Sequence, residues 1–211
     1  MRILLSMVLL ASLAGGAQAQ MSVQEYALPP RITAHDIWAD PAADGPVWFS
    51  GQGSGNAGRL DPKTGTVYFA SLAGSYVGRI DAATHKVQVI EPPTKDQGAR
   101  RVWSDSKGMV WVAEWDSGNL SRYDPKSGAW KTWKAPGDRP RVYAVYVDET
   151  DKPWISEWNK QLMMRFDPAT EKWDSFSSSS GSANVRQIHG RKGEVWTPES
   201  ASGKLVVYRY R

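Results

Sequence analysis

The chain has 211 residues, no cysteine, and a formal net charge of +4 that results from 26 basic and 22 acidic residues. The lack of cysteine excludes disulfides, thiolate catalysis and metal sites built on thiolates. Basic and acidic residues are interleaved along the whole chain without a nucleic-acid-binding motif. The positive charge therefore indicates a solvated surface, and we expect no nucleic-acid partner.

Residues 1–19 have the features of a secretory signal peptide. Arg2 gives the positive start, residues 3–13 form a short apolar run, and Ala17-Gln18-Ala19 is typical of a cleavage site. The run is too short to span a bilayer, and no later stretch is long and apolar enough to do so. The sequence predicts a periplasmic or secreted protein without a membrane span, and one domain over 20–211.

In chain order, the first predicted elements after the signal are a short outer strand over 25–30 and an inner strand over 34–40. A hairpin turn then leads into an anchor strand centred on a large aromatic residue. A second hairpin brings a strand that carries Arg and Asp two residues apart, as in Arg122/Asp124 and Arg165/Asp167. These pairs share a strand face and predict ion pairs within one unit. Asp-Pro turns such as 124–128 then lead to aromatic-rich outer strands.

The anchor strand recurs along the chain and determines the predicted fold. The copies are Val47-Trp48-Phe49-Ser50, a degenerate Val67-Tyr68-Phe69-Ala70, Val110-Trp111-Val112-Ala113-Glu114, Pro153-Trp154-Ile155-Ser156-Glu157 and Val195-Trp196-Thr197-Pro198-Glu199. The later tryptophans are about 43 residues apart, which leaves room for four short strands per unit. Such a period predicts an all-β protein, a β-propeller with four-stranded blades.

One interval between units is too short for a complete blade. Asp61 and Tyr68 are about 7 residues apart, where later units use about 30 between the equivalent positions. The first unit is therefore expected to run directly into the second anchor strand without an outer and an inner strand. We expect an incomplete propeller of about four to five blades, one truncated. An open sheet edge at this point, between Arg59 and Arg79, would favour self-association through the truncated blade.

The repeat resembles that of the virginiamycin B (streptogramin B) lyases over essentially all of the mature chain. The matching segments are Ala34-His35-Asp36-Ile37, Trp48-Phe49-Ser50, Gly58-Arg59-Leu60-Asp61-Pro62 and Gly78-Arg79-Ile80-Asp81. Members of that family are seven-bladed propellers, so the resemblance implies a shortened relative. It also implies an exported carbon–oxygen lyase that opens a cyclic ester or depsipeptide with the help of magnesium, an activity associated with antibiotic resistance.

The resemblance assigns roles to particular residues. The glutamate of the last anchor strand would bind metal, and two earlier glutamates occupy the equivalent point, which gives Glu199, Glu157 and Glu114. Mg²⁺ is the expected cofactor, and Ca²⁺ also suits oxygen ligands. His35 occupies the position of the family's general base in the first unit. The same position later holds Arg100, Tyr143 and Arg186, which would bind an anion or a carbonyl oxygen of a small-molecule substrate.

Three alternatives remain open. The glutamates could form a neutral network with nearby arginines, namely Arg100, Arg101, Arg141 and Arg186. The protein as a whole could be a non-enzymatic periplasmic propeller that binds a small molecule or a protein on this face. A third interpretation is a metal-dependent lactone hydrolase of the sugar-lactonase type.

Overall fold

The computed structural model describes residues 34–39, 47–51, 56–60, 67–81, 84, 86–178 and 181–210. These residues form 17 strands in four antiparallel sheets, and none of them is helical. No helix in this part of the chain could cross a membrane. The predicted signal peptide and the strand predicted over 25–30 lie outside the described residues. The predicted all-β class and the four-stranded antiparallel sheets are confirmed.

The first sheet contains six strands in chain order. They are β1 (Ala34–Ala39), β2 (Val47–Gly51), β3 (Asn56–Leu60), β4 (Val67–Ser71), β5 (Tyr76–Ile80) and β6 (Val87–Ile90). β3 pairs directly with β4, with Asn56 opposite Ser71 and Leu60 opposite Val67. Two anchor strands, β2 and β4, therefore share one sheet, which confirms the predicted fusion of the first unit to the second anchor strand.

The remaining sheets follow the repeat more closely. The second contains β7 (Ala99–Ser104), β8 (Val110–Glu114), β9 (Asn119–Tyr123) and β10 (Trp130–Lys134). The third contains β11 (Val142–Val147), β12 (Pro153–Glu157), β13 (Leu162–Asp167) and β14 (Lys172–Ser177). The last has three strands, β15 (His189–Arg191), β16 (Glu194–Glu199) and β17 (Lys204–Arg209). Each predicted anchor strand is present, and every residue of β8 and β12 is buried.

Aromatic side chains pack the sheets against each other. Trp133 of β10 contacts Phe166 of the third sheet with ring centroids 4.9 Å apart, and Phe176 contacts Tyr208 of the last sheet at 6.0 Å. On the inner strands, the ring of Trp103 lies 5.0 Å from that of Tyr146 and 5.5 Å from that of His189. Aromatic side chains thus occupy the space between the inner strands. Within the described ranges, the four sheets do not close into a ring.

Each later anchor tryptophan is held by a carboxylate from the turn before it or from its own strand. The indole Nε1 of Trp111 donates to Asp105 at 3.0 Å, that of Trp154 to Asp148 at 2.9 Å, and that of Trp196 to Glu194 at 3.0 Å. A buried indole N–H needs such an acceptor, because leaving it unpaired costs free energy. In each of these three units, the anchor tryptophan therefore supplies a hydrogen-bond donor as well as a large apolar ring.

Arg165 and Asp167 form ion pairs within their own blade, whereas other ion pairs join the second and third sheets, such as Lys131 with Glu171. Arg165 donates to Asp148 from Nη2 at 2.6 Å and from Nε at 3.0 Å. Asp167 pairs instead with Lys152 at 2.8 Å. Both residues therefore pair within their blade, as predicted, but with other partners and not with each other. Residues two apart on a strand face point the same way, whereas the acid of the inner hairpin lies across the sheet from Arg165.

The fusion of the first two units leaves no open edge at the expected place. β3 and β4 pair along their whole length, so the interval between Arg59 and Arg79 is not an unpaired edge. The outer edge of the six-stranded sheet is β6, where Val87 is 51% and Val89 52% exposed. Self-association stays a prediction, now placed at β6. Light scattering over a range of protein concentrations tests it, and a strictly monomeric chain would contradict it.

We expect Asp148→Ala to destabilise the fold by about 3 kcal/mol, because it leaves the buried Trp154 indole without its acceptor and the Arg165 guanidinium without its carboxylate partner. Asp174→Ala, at an exposed position of β14, is the matched control and should be close to neutral. Urea denaturation monitored by tryptophan fluorescence measures both. Equal midpoints for the two variants would show that Asp148 does not hold the anchor.

Candidate functional site

The predicted site residues lie at one end of the sheets, which we call the glutamate face. It is the end at which β8, β12 and β16 finish, on Glu114, Glu157 and Glu199. Because the strands are antiparallel, the inner strands β7 and β11 begin at the same end. The loops 115–118, 158–161 and 200–203 cover it.

The strand register makes four positions equivalent, those of His35 and of the three residues that stand in its place in later units; we call them the slot positions. Ala34 pairs with Gly51, Ala99 with Glu114, and Val142 with Glu157, and an irregularity in the pairing follows each time. Val185 forms a bridge with Glu199 in the last sheet. The next residue in each case is the predicted slot residue, namely His35, Arg100, Tyr143 and Arg186. A β-bulge re-aims the side chain that it carries, so the irregularities in β7 and β11 are suited to direct Arg100 and Tyr143 toward the glutamate face.

The carboxylate of Glu114 is buried and fully engaged by its own loop and by β9. It accepts hydrogen bonds from Ser117 Oγ at 2.5 Å, Ser121 Oγ at 2.6 Å and Asn119 Nδ2 at 3.1 Å. Burial raises the pKa of Glu114 above its ordinary value of 4.5, although these hydrogen bonds and the charge of Lys134 act in the opposite direction. Glu114 thus joins the end of its strand to the loop that follows.

Glu157 does the same with backbone donors. Its carboxylate accepts the backbone N–H groups of Arg141 at 2.8 Å, Asn159 at 2.9 Å and Lys160 at 2.7 Å. Glu199 is also buried, and its Oε2 accepts from Ser202 Oγ at 2.8 Å. All three glutamates therefore contact the loop that begins directly after them.

The hydrogen bonds of the three glutamates affect whether they could bind a metal ion together. Among the residues that the structure describes, no group of three or more acidic or histidine side chains could hold a metal ion. The oxygens of Glu114 and Glu157 are already occupied by three protein donors each. These residues as placed do not fit a shared metal site, and magnesium binding stays a prediction. The alternative arginine network is not what Arg141 forms with Glu157: only the backbone N–H of Arg141 donates to that carboxylate, and its guanidinium pairs with Asp116.

The structure brings the predicted substrate-binding residues into one cluster. The guanidinium carbon of Arg100 lies 3.6 Å from the ring centroid of Tyr143. Tyr143 stacks on Trp158 at 4.9 Å with an interplanar angle of 22°, and Arg186 lies 5.2 Å from the Trp158 ring. Trp115 completes the group, since Arg100 lies 5.1 Å and Arg141 5.3 Å from its ring. We call these six residues the cation–aromatic cluster: Arg100, Trp115, Arg141, Tyr143, Trp158 and Arg186.

The two tryptophans of the cluster were not among the predicted site residues. Each directly follows the glutamate of its anchor strand, and its backbone N–H donates to the segment before the inner strand: Trp115 to Gly98 O at 2.8 Å and Trp158 to Arg141 O at 2.9 Å. Both rings are partly exposed. The sequence signal was the repeated Glu-Trp dipeptide, which is absent from the last unit, where Ser200 follows Glu199.

An open polar depression lies beside the cluster. Its lining residues are Asp138, Arg139, Arg141, Asn159 and Lys160. The loop before β11 and the loop after β12 form it together, tied by a hydrogen bond of 2.7 Å from Asn159 Nδ2 to Arg139 O. The cluster and the depression share Arg141, so they form one continuous surface on the glutamate face.

His35, the predicted catalytic residue, lies in β1 of the first sheet. Its backbone position is equivalent to that of Arg100, as the strand register shows. Its role as a base stays a prediction.

Comparison with known proteins gives similarity at the level of the fold. No family profile matches the sequence, and no curated protein matches it. A catalytically inactive histidine-to-alanine variant of Staphylococcus aureus virginiamycin B lyase with quinupristin is 19% identical, with a TM-score of 0.69 over 90% of this chain and 73% of that one. A streptogramin B lyase structure is 15% identical, with a TM-score of 0.66 over 88% and 72%.

A sensor domain shows the same fold in another setting. The extracellular domain of a proposed one-component system from B. thetaiotaomicron is 14% identical, with a TM-score of 0.56 over 83% of this chain and 27% of that one. These likenesses support a distant relationship to the lyases and to other propeller domains. At such identities they show the fold and carry no activity across.

The raised pKa of Glu114 predicts a pH dependence of stability. Unfolded Glu114 ionises near 4.5 and the folded group only at higher pH, so its contribution to stability falls as pH rises from 4.5 through the folded pKa. Glu114→Gln should remove this fall, and its stability relative to wild type should therefore increase across that window. Urea denaturation at a series of pH values measures the difference.

The control is Glu194→Gln, which should show the opposite sign. The hydrogen bond from Arg191, followed by that from Trp196, lowers the pKa of Glu194, so its ionised form stabilises the fold above 4.5. That contribution is lost as pH falls through the folded pKa. A difference between Glu114→Gln and wild type that stays constant over about pH 4 to 8 would contradict the first prediction.

Proposed function

We propose that the chain is a binding propeller that holds a small molecule on the glutamate face, over the cation–aromatic cluster, without catalysing its conversion. The observation that carries the proposal is the packing of Arg100, Tyr143 and Arg186 with Trp115 and Trp158. A guanidinium remains protonated near neutral pH and cannot act as a general base. Partly exposed tryptophan rings offer a large, rigid contact area at low cost in conformational entropy.

The environment of the glutamates supports the same proposal. A metal ion would compete with the three hydrogen-bond donors of Glu157 and the three of Glu114 for about four lone-pair positions on each carboxylate. Each displaced donor would then be left without an acceptor in a buried setting, which costs about 1–3 kcal/mol per group. Holding the loops in place is the simpler role for these carboxylates, and the loops in turn position the tryptophans.

A second candidate function is a magnesium-assisted lyase that acts on a cyclic ester or depsipeptide. It is favoured by the fold similarity to virginiamycin B lyases. In this case His35 would act as the base, and Arg100, Tyr143 and Arg186 would orient the substrate carbonyl. Glu199, with Glu157 and Glu114, would hold Mg²⁺, which would polarise the carbonyl group.

We also propose that the protein is exported, which is compatible with both candidate functions. It is supported by the signal-like residues 1–19 and by the fold likeness to an extracellular sensor domain. A periplasmic or secreted protein would begin at Gln20 after cleavage. N-terminal sequencing of the protein from an osmotic-shock fraction tests this, and an uncleaved chain found in the cytosol would refute it.

For the binding proposal, we expect compounds from a small-molecule panel to perturb tryptophan fluorescence, and Trp158→Ala to weaken that binding about ten-fold or more. Trp158 is partly exposed within the cluster, whereas Trp130 lies on an outer strand against Tyr123. Trp130→Phe is therefore the matched control and should bind as wild type does. Wild-type affinity in Trp158→Ala would place binding elsewhere.

For the lyase candidate, we expect a streptogramin B antibiotic incubated with the mature protein and Mg²⁺ to remain cyclic. The reason is that guanidinium and phenol groups replace imidazole in three of the four slot positions. Chromatographic separation of cyclic and linear forms is the measurement, because elimination does not change the mass. Rapid opening that stops with a chelator and in His35→Ala would establish the second candidate in place of the first.

A further inference from the structure

We propose that the ligand of the glutamate face carries an oxyanion, a carboxylate or a phosphate, and that Arg100 binds it. The inference rests on the proposed function, since it names the chemistry that the binding face recognises. It concerns this chain's own arginines, which stand in positions where the resembling family implies a histidine.

The charges of the cluster point to a negatively charged ligand. Three guanidinium groups, those of Arg100, Arg141 and Arg186, lie on the aromatic rings of the cluster. Among the described residues, Arg141 pairs with Asp116, and Arg186 donates to the neutral hydroxyl of Ser200. The glutamates of the same face are buried and bonded to their own loops, so the charge that faces solvent is mainly positive.

Arg100 has the fewest hydrogen-bond and ion-pair partners of the three arginines among the described residues. Its side chain is partly buried, and its contacts in the described structure are the rings of Tyr143 at 3.6 Å and Trp115 at 5.1 Å. Its Nε is buried and has no hydrogen-bond partner among the described residues. A partly desolvated guanidinium gains more from an anion than an exposed one does, because the effective dielectric constant is lower there.

The aromatic contacts also prepare Arg100 for this role. A guanidinium that lies on a ring face keeps the N–H groups of its rim available, and those groups match the two oxygens of a carboxylate or phosphate. The contact with Tyr143 limits the rotamers of Arg100, so binding an anion costs less side-chain entropy. The rings therefore position the arginine, and the arginine supplies the recognition.

The adjoining depression supplies space for the rest of the ligand. Arg139 and Asp138, which pair at 3.8 Å, line it together with Lys160 beside Arg141. Lys160 thus extends the cationic surface from the cluster into the depression. This extension favours a ligand with its anionic group at Arg100 and polar or further negative groups over the depression.

The rival explanation is that the cluster only stabilises the fold, and it makes different predictions. A structural cation–aromatic cluster would show no preference between an anion and a neutral molecule of the same shape. We therefore compare benzoate and phenyl phosphate with neutral benzamide, using saturation-transfer NMR and calorimetric titration of the mature protein.

The variants are Arg100→Met, which keeps much of the side-chain volume without the charge, and Arg191→Met as its control. The Arg191→Met substitution also removes one positive charge, but at the opposite end of the last sheet. Thermal melts establish that both variants are folded before binding is measured.

We expect wild type and Arg191→Met to bind benzoate or phenyl phosphate in preference to benzamide, and Arg100→Met to bind the anion about ten-fold or more weakly. Whichever of benzoate and phenyl phosphate binds more tightly identifies the oxyanion as a carboxylate or a phosphate. Equal binding of benzoate, phenyl phosphate and benzamide, or unchanged anion binding in Arg100→Met, would overturn the oxyanion proposal and leave small-molecule binding intact. Failure of every probe to bind wild type would contradict both proposals.

Discussion

A buried carboxylate must be hydrogen-bonded, and this requirement organises the glutamate face. Glu114 and Glu157 end their anchor strands in the core, where water does not reach them, so the following loops turn back to supply donors. The same turn places Trp115 and Trp158 beside the starts of the inner strands. The tryptophans then pack on the slot residues, and the cation–aromatic cluster results from this packing. The cluster therefore depends on where the loops place these side chains and not on any single residue.

The shortened first unit changes the number of strands in the first sheet. Direct pairing of β3 with β4 merges two repeat units into six continuous strands, so the backbone groups of both hairpins are satisfied within the sheet. The inner strands of the other sheets carry Trp103, Tyr146 and His189, whose rings contact one another between them. These contacts bury the large rings of Trp103 and Tyr146 between the sheets.

The repeat predicted much of this structure because propeller blades are local units. Its period located the anchor strands, and the short Asp61-to-Tyr68 interval predicted the fused sheet. Counting to the anchor tryptophan also placed Arg100, Tyr143 and Arg186 in equivalent positions, which the strand register bears out. Side-chain partners were harder to predict. The Arg165 pairing with Asp148, the loop donors of Glu114 and the positions of Trp115 and Trp158 depend on contacts across strands and loops, which spacing along one chain does not encode.

The three glutamates hold loops and leave the face to the arginines and aromatic rings. Calorimetric titration of the mature protein with Mg²⁺ and with Ca²⁺ tests this role of the glutamates, with Glu199→Ala as the comparison. We expect no saturable heat at millimolar metal for either ion, because the carboxylate oxygens of Glu114 and Glu157 already accept protein hydrogen bonds. Saturable binding to wild type that disappears in Glu199→Ala would contradict the account and favour a metal-dependent enzyme.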